Sequence, residues 1–265
     1  MTFETLPSRN RVLGVTGTDR SSGFTLLNNQ RFLGAGASQT LAAITGLTVQ
    51  PYSTALPATG GANPTVTSGG VTVTLGTGNR IQGLSFGNAT TSDITGTSFG
   101  TLTVRDVTLD GTGRALDLTT GTLDAIFQGI SSTTSATNGV ILTTVGGSLS
   151  TTGGTTVTNA TGIGIQVSTA PAGAALNFGN TSVTNPDGDT TGNTSVRLID
   201  NTGNVTFGSL NLTPESGQRG LHATHGVAAA AGTITSTSGA IATTSATAVE
   251  INRSTAGTIP LSVLC

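Results

Sequence analysis

Hydrophobic and polar residues alternate with period two along most of this chain, most clearly over residues 101–147. Thr101-Leu-Thr-Val-Arg-Asp-Val-Thr-Leu-Asp-Gly alternates and closes on a turn signal, and Ala115-Leu-Asp-Leu-Thr-Thr-Gly is a shorter alternating run. Thr122-Leu-Asp-Ala-Ile-Phe-Gln-Gly-Ile-Ser-Ser then repeats the first run, and Gly139-Val-Ile-Leu-Thr-Thr-Val-Gly-Gly repeats the second. Short alternating runs bounded by Gly, Asn and Asp mark β-strands, and no window keeps a helical period. A strand–turn–strand unit that recurs every few tens of residues is the mark of a solenoid.

Three strand registers carry the repeat. The first holds Leu102/Val104, Leu123/Ala125, Leu149/Thr151, Leu176/Phe178, Val205/Phe207, Ile234/Ser236 and Ile259/Leu261. The second holds Val107/Leu109, Ile130, Val157, Val183, Leu210/Leu212 and Ile241. The third holds Leu116/Leu118, Val140/Leu142, Ile163/Ile165, Val196/Leu198, Leu221/Ala223 and Val249/Ile251. Successive first-register positions lie 21 to 29 residues apart, and the variation falls at 133–138, 170–173 and 185–193. The expected fold is all-β: a parallel β-helix (β-solenoid) with three short strands per coil.

Such a stack aligns like side chains along its axis. Phe178 over Phe207 predicts an aromatic ladder, and Leu102, Leu123 and Leu149 an aliphatic one. After the second register, Asp110, Asn159 and Asn185 predict a corner of residues that tolerate left-handed backbone. An antiparallel sandwich would need hairpin turns at regular places, and the internal repetition argues against it.

Residues 1–63 are less regular and predict capping coils and a loop, with the repeat region running over 64–265 as one continuous domain. Pro51, Pro57, Pro64 and Gly60-Gly61 mark the loop. Leu41-Ala-Ala-Ile-Thr-Gly-Leu reads as one helical turn or a strand. Asn28-Asn-Gln-Arg-Phe-Leu-Gly-Ala-Gly, Asn63-Pro-Thr-Val-Thr and Gly76-Thr-Gly-Asn-Arg-Ile-Gln-Gly-Leu-Ser-Phe resemble the opening coils of bacterial right-handed parallel β-helix repeat proteins. That group includes autotransporter passengers and adhesin-like surface proteins. The resemblance implies the fold, its handedness and an exported, extracellular or cell-surface setting; it carries no functional residue across. The pectate-lyase-like enzymes share the architecture, so fold alone does not separate them.

Composition narrows the function. Charged residues are 8% of the chain and aromatics 3%; there are 39 Gly, no Trp, and all ten cations are Arg. Apolar residues at 35%, placed at alternating positions, supply a core. A net charge of −2 with scattered Arg gives no basic stripe for nucleic acid. No apolar run approaches a membrane span, and the first ten residues lack a signal peptide's hydrophobic region. With one Cys, at position 265, there is no internal disulfide. The expectation is therefore an excised segment of a longer exported protein.

A lyase or hydrolase on this fold needs clustered carboxylates on neighbouring coils. Asp106, Asp110, Asp117 and Asp124 form the nearest such group, but Asp117 and Asp124 are expected to point outward from different faces. His225-Gly lacks the preceding Gly of the galacturonan hydrolases, and a chain without Lys cannot supply their Arg-x-Lys. His222 and His225, three apart in a strand, face opposite ways and do not suit one metal. Asp187 and Asp189, in Pro186-Asp-Gly-Asp, resemble a calcium loop only loosely, and an Asp-Gly turn accounts for them. Neither catalytic residues nor a cofactor is expected.

About a fifth of the residues are Thr, which raises ice binding. The outward second-register positions read Thr108, Ser131, Thr158, Thr184, Asn211 and Ala242, half of them Thr. The outward first-register positions Thr103, Asp124, Ser150, Asn177, Thr206 and Thr235 are mixed, and Thr also suits strands. The expected function is a non-catalytic stalk or adhesive segment, with a carbohydrate-active enzyme and an ice-binding solenoid as alternatives. Its expected partners are glycans or other surface molecules and neighbouring domains. Self-association through the uncapped strand at 258–265 is also expected.

Overall fold

In a computed structural model the chain is all-β and winds as a β-solenoid of about seven turns. The structure describes residues 12–15, 23–184, 194–254 and 257–263. Every strand ladder among them is parallel.

The later coils show three strands per turn most plainly. Ala175–Asn177, Asn180–Thr184 and Thr194–Ile199 form one coil, and each pairs with its counterpart in the next: Asn204–Phe207, Ser209–Thr213 and Arg219–His225. These three faces match the three predicted registers. In the middle of the stack the strands run on around the corners, so Ser92–Leu109 and Arg114–Thr133 each cover more than one face. Strands from the first 63 residues join the same stack: Val12–Val15 pairs with Arg31–Gly34, which pairs with Arg80–Ala89. Leu41–Thr45 is a short helix, capped by the Thr40 hydroxyl on the Ala43 amide and by left-handed Gly46.

The alternation puts one side chain of each pair inside. Leu102, Val104, Leu116, Leu118, Phe127, Val140 and Leu142 are fully buried in a core that runs the length of the stack. Phe178 and Phe207 stack as expected.

Inside and outside are as the alternation predicts except in the last coil, where Val249 and Leu261 are exposed, but the register along the axis slides by two residues in several places. Leu123 pairs with Gly147, and Leu149 pairs with Ala125, so the Leu102–Leu123 ladder does not continue to Leu149. Val140 pairs with Ile165 rather than Ile163, Ile130 with Thr155 rather than Val157, and Ile234 with Leu261 rather than Ile259. A slip of two keeps every side chain on its face, so hydrophobic patterning cannot detect it. Backbone fit decides instead. Gly147 has a φ of 80° and lies where a Cβ would come within 2.1 Å of the Leu123 carbonyl oxygen.

The left-handed corner is also placed differently. Ser98, Thr120, Thr144, Thr169 and Asp200 follow the third face in five successive coils, all with φ between 51° and 55°. After the second face, Thr134 and Asn159 take this backbone, whereas Asp110 does not. Asn185 lies outside the described residues. Polar side chains steady the third-face corner: the Thr144 and Thr169 hydroxyls lie 2.8 Å apart, and Asp200 accepts from the Gly226 amide.

Candidate functional site

Near the start of the first face a flap of residues 35–45 folds back over its outside. Leu33, Ala37 and Ile44 bury one another there, with Leu41 packed against them. Asn63 ties the return of the flap down, donating to the Leu84 and Asp106 carbonyls and to Gln128 Oε1. Ser38 and Gln39 overhang the next coils, leaving a polar groove of about 440 Å³ between flap and sheet.

Ladder pairing assembles the groove's floor. Arg80 pairs with Thr103 and Thr103 with Asp124, while Gln82 pairs with Arg105 in the neighbouring column; Arg31, outside the groove's lining, pairs with Arg80. All are outward positions, one per coil within each column, so residues far apart in sequence stand about 5 Å apart along the axis.

Asp106 occupies a left-handed corner, φ 54°, on the groove's edge. Its Oδ2 accepts from the Ser38 amide (2.9 Å), the Ser38 hydroxyl (2.8 Å) and Gln82 Nε2 (3.0 Å). Burial by itself would raise its pKa. The Ser38 and Gln82 bonds and the charge of Arg105 outweigh that and hold it below the usual carboxylate range. Asp124 pairs with Arg105, Nη2 to Oδ1 at 2.6 Å, and Arg105 Nη1 also donates to the Val104 and Asp124 carbonyls at 2.7 Å. Two carboxylates held in this way accept hydrogen bonds; Asp106, kept ionised, has no proton to deliver at neutral pH.

Arg80 stands differently. Its Nη2 donates to Gln39 Oε1 and Gln82 Oε1, both at 2.7 Å, and its Nε to Gln82 Oε1 at 3.0 Å. These partners are neutral amides. Burial, followed by the charges of Arg105 and Arg31, lowers its pKa despite Asp124 and Asp106 nearby. Gln82 is itself fully buried, accepting from Arg80 and donating to Asp106, so it fixes both charged groups at once.

Of the four carboxylates singled out from sequence, the fold brings Asp106 and Asp124 into one groove. Asp117 lies on the third face against Arg114, and Asp110 is exposed next to the second face. Asp187 and Asp189 lie outside the described residues. His222 faces outward, 3.8 Å from Glu250, which Arg219 also contacts at 2.5 Å. His225 is buried, its Nε2 2.8 Å from the Ala229 carbonyl, so the two histidines do face opposite ways. Among the described residues no three His, Cys, Asp or Glu side chains are grouped to hold a metal, and no helix is long and apolar enough to cross a membrane.

Sequence reading missed Ser38, Gln39, Arg80, Gln82 and Arg105. The Arg80-x-Gln82 spacing does place both side chains on one face of a strand. Nothing in the sequence connects either with Ser38, which reaches Asp106 across 68 residues.

In comparisons with protein-family models, curated proteins and solved structures, nothing matches this chain.

Proposed function

We propose that this β-solenoid is a non-catalytic structural and adhesive segment of an exported bacterial surface protein, a rigid rod that presents its outer face for attachment. The observation that carries the reading is the continuous parallel stack with a single core, in which successive coils hydrogen-bond along the axis. Bending such a rod means breaking ladders of backbone bonds together. The groove suits attachment better than catalysis, because Asp106 is held ionised by Ser38 and Gln82 and Asp124 is paired with Arg105. The test is incubation of the full chain with acidic and neutral polysaccharides, followed for both retention and released products. Retention without products is expected; product release that depends on Asp106 or Asp124 would overturn the non-catalytic reading.

A second reading rests on the corrected register. Thr112, Thr133, Thr158, Thr184 and Thr213 pair successively in one outward column of the second face. A flanking column holds Ser131, Thr156, Ser182 and Asn211. Such a grid of uncharged polar groups, all but Asn211 hydroxyls, favours a crystalline partner such as ice. Thermal hysteresis measured on the wild type and on Thr158→Lys decides it: a hysteresis lost in the variant supports the reading, and none in the wild type rejects it.

A further inference from the structure

We infer that the groove beneath Ser38 and Gln39 binds an anionic saccharide, with Arg80 taking the oxyanion and Asp106 and Asp124 accepting from neighbouring hydroxyls. This rests on the attachment reading above and supplies its ligand class.

The argument begins with an imbalance of charge. Arg105 and Asp124 neutralise each other at 2.6 Å. Asp106 is stabilised by three hydrogen bonds from neutral donors, two from Ser38 and one from Gln82. Three guanidiniums, Arg31, Arg80 and Arg105, thus stand against two carboxylates, and Arg80 and Arg31 are adjacent in the same ladder. Arg80 is partly buried and donates to amide oxygens, and Arg31 Nη1 is buried with no hydrogen-bond partner among the described residues. A partly desolvated guanidinium wants an anion, because burial of charge is costly until it is compensated. Two of them side by side sharpen that demand, and Arg80 Nη1, beside the Nη2 that Gln39 and Gln82 hold, is the edge left for an oxygen of a carboxylate or sulfate.

The remaining walls indicate what carries the anion. Gln39 and Thr103 offer a neutral amide and a hydroxyl, and Asp106 and Asp124 have acceptor capacity toward the groove. Hydroxyl donors beside an oxyanion satisfy all of these, and that is the chemistry of a uronate-bearing or sulfated sugar. A free inorganic anion would satisfy Arg80 and leave the carboxylates repelling it. The volume, about 440 Å³, lies in the range of small-ligand sites. Gln82, fully buried between Arg80 and Asp106, holds the anion-binding and hydroxyl-binding groups at a fixed separation.

The test uses the full chain and four probes in titration calorimetry: an oligogalacturonate trimer, its methyl ester, a sulfated trisaccharide and inorganic sulfate. The expected result is binding of at least one acidic trisaccharide. The methyl ester, inorganic sulfate and Arg80→Gln should each weaken it about ten- to hundredfold, the loss that follows removal of a charged hydrogen-bonded partner. Whether uronate or sulfate binds better identifies the source of the oxyanion. Arg80→Gln relieves repulsion with Arg31 and Arg105, so it should fold, and its circular dichroism and melting midpoint verify that. Arg219→Gln, on the third face, should leave binding unchanged. Equal binding of ester and acid, equal binding by Arg80→Gln, or no binding of either acidic trisaccharide overturns the site. Cleavage of a bound trimer would instead overturn the non-catalytic reading while leaving the site in place.

Discussion

The rings of Phe178 and Phe207 stack 5.8 Å apart and 20° from coplanar, one above the other in successive coils. Both are fully buried. In a solenoid each coil's core contacts chiefly the coils above and below, so a missing ring is felt as a cavity between two layers. Phe207→Ala should destabilise the fold by about 3–5 kcal/mol, and Phe207→Leu by less. Urea unfolding would measure both; a loss in Phe207→Ala well under 1 kcal/mol would show that the stack carries little of the packing.

Asp93 is buried at the start of the third face, and its Oδ1, Ser92 Oγ and Thr72 Oγ1 have no hydrogen-bond partners among the described residues. Burial, with a smaller contribution from Asp110, pushes its pKa up to about 8 from an ordinary 3.8. Between those values the folded chain keeps a proton that the unfolded chain has released. Stability should therefore fall as pH rises from about 4 to 8, by up to several kcal/mol. Asp93→Asn should remove that slope and be the more stable protein at pH 8. Parallel pH profiles in wild type and variant would refute this.

Thr120 is exposed and holds a φ of 55°, a backbone that a β-branched side chain disfavours. Asn tolerates it. Thr120→Asn is expected to raise stability by about 0.5–1 kcal/mol. The same change at neighbouring Thr119, in regular strand, should lower it. Melting midpoints that move together in both variants would contradict the corner assignment.

Asp106 anchors the flap through Ser38, so Asp106→Asn should loosen it without unfolding the stack. Limited proteolysis is the readout, with faster cutting expected near exposed Leu47, Val49 and Tyr52. Because the folded Asp106 sits below its ordinary pKa, its anchoring is complete above the unfolded value and fades as pH falls through the folded one. Wild-type flap protection should therefore decline in acid, and Asp106→Asn should not show that decline. Unchanged cutting in the variant would place the anchor elsewhere, with Asn63 the next to test.

Alternation by itself told which side chains go inside. Leu102, Val104, Leu116 and Leu118 are buried, and His222 and His225 part to opposite sides, because a strand's side-chain period is two and a core rewards one parity only. The repeat likewise told that the strands stack in parallel. What patterning left open is the position of each coil along its neighbour. Leu123 beside Leu149 and Leu123 beside Gly147 bury equally well by parity. The choice fell to hydrogen-bond geometry and to a glycine that can approach the Leu123 carbonyl. The groove was beyond the sequence for a related reason. Arg80, Arg105 and Asp124 meet because coils of unequal length bring them to adjacent rungs, and Ser38 reaches Asp106 because the flap buries Leu33, Ala37 and Ile44. Local pattern determines the face on which a residue lies; only the closed stack determines its neighbours there.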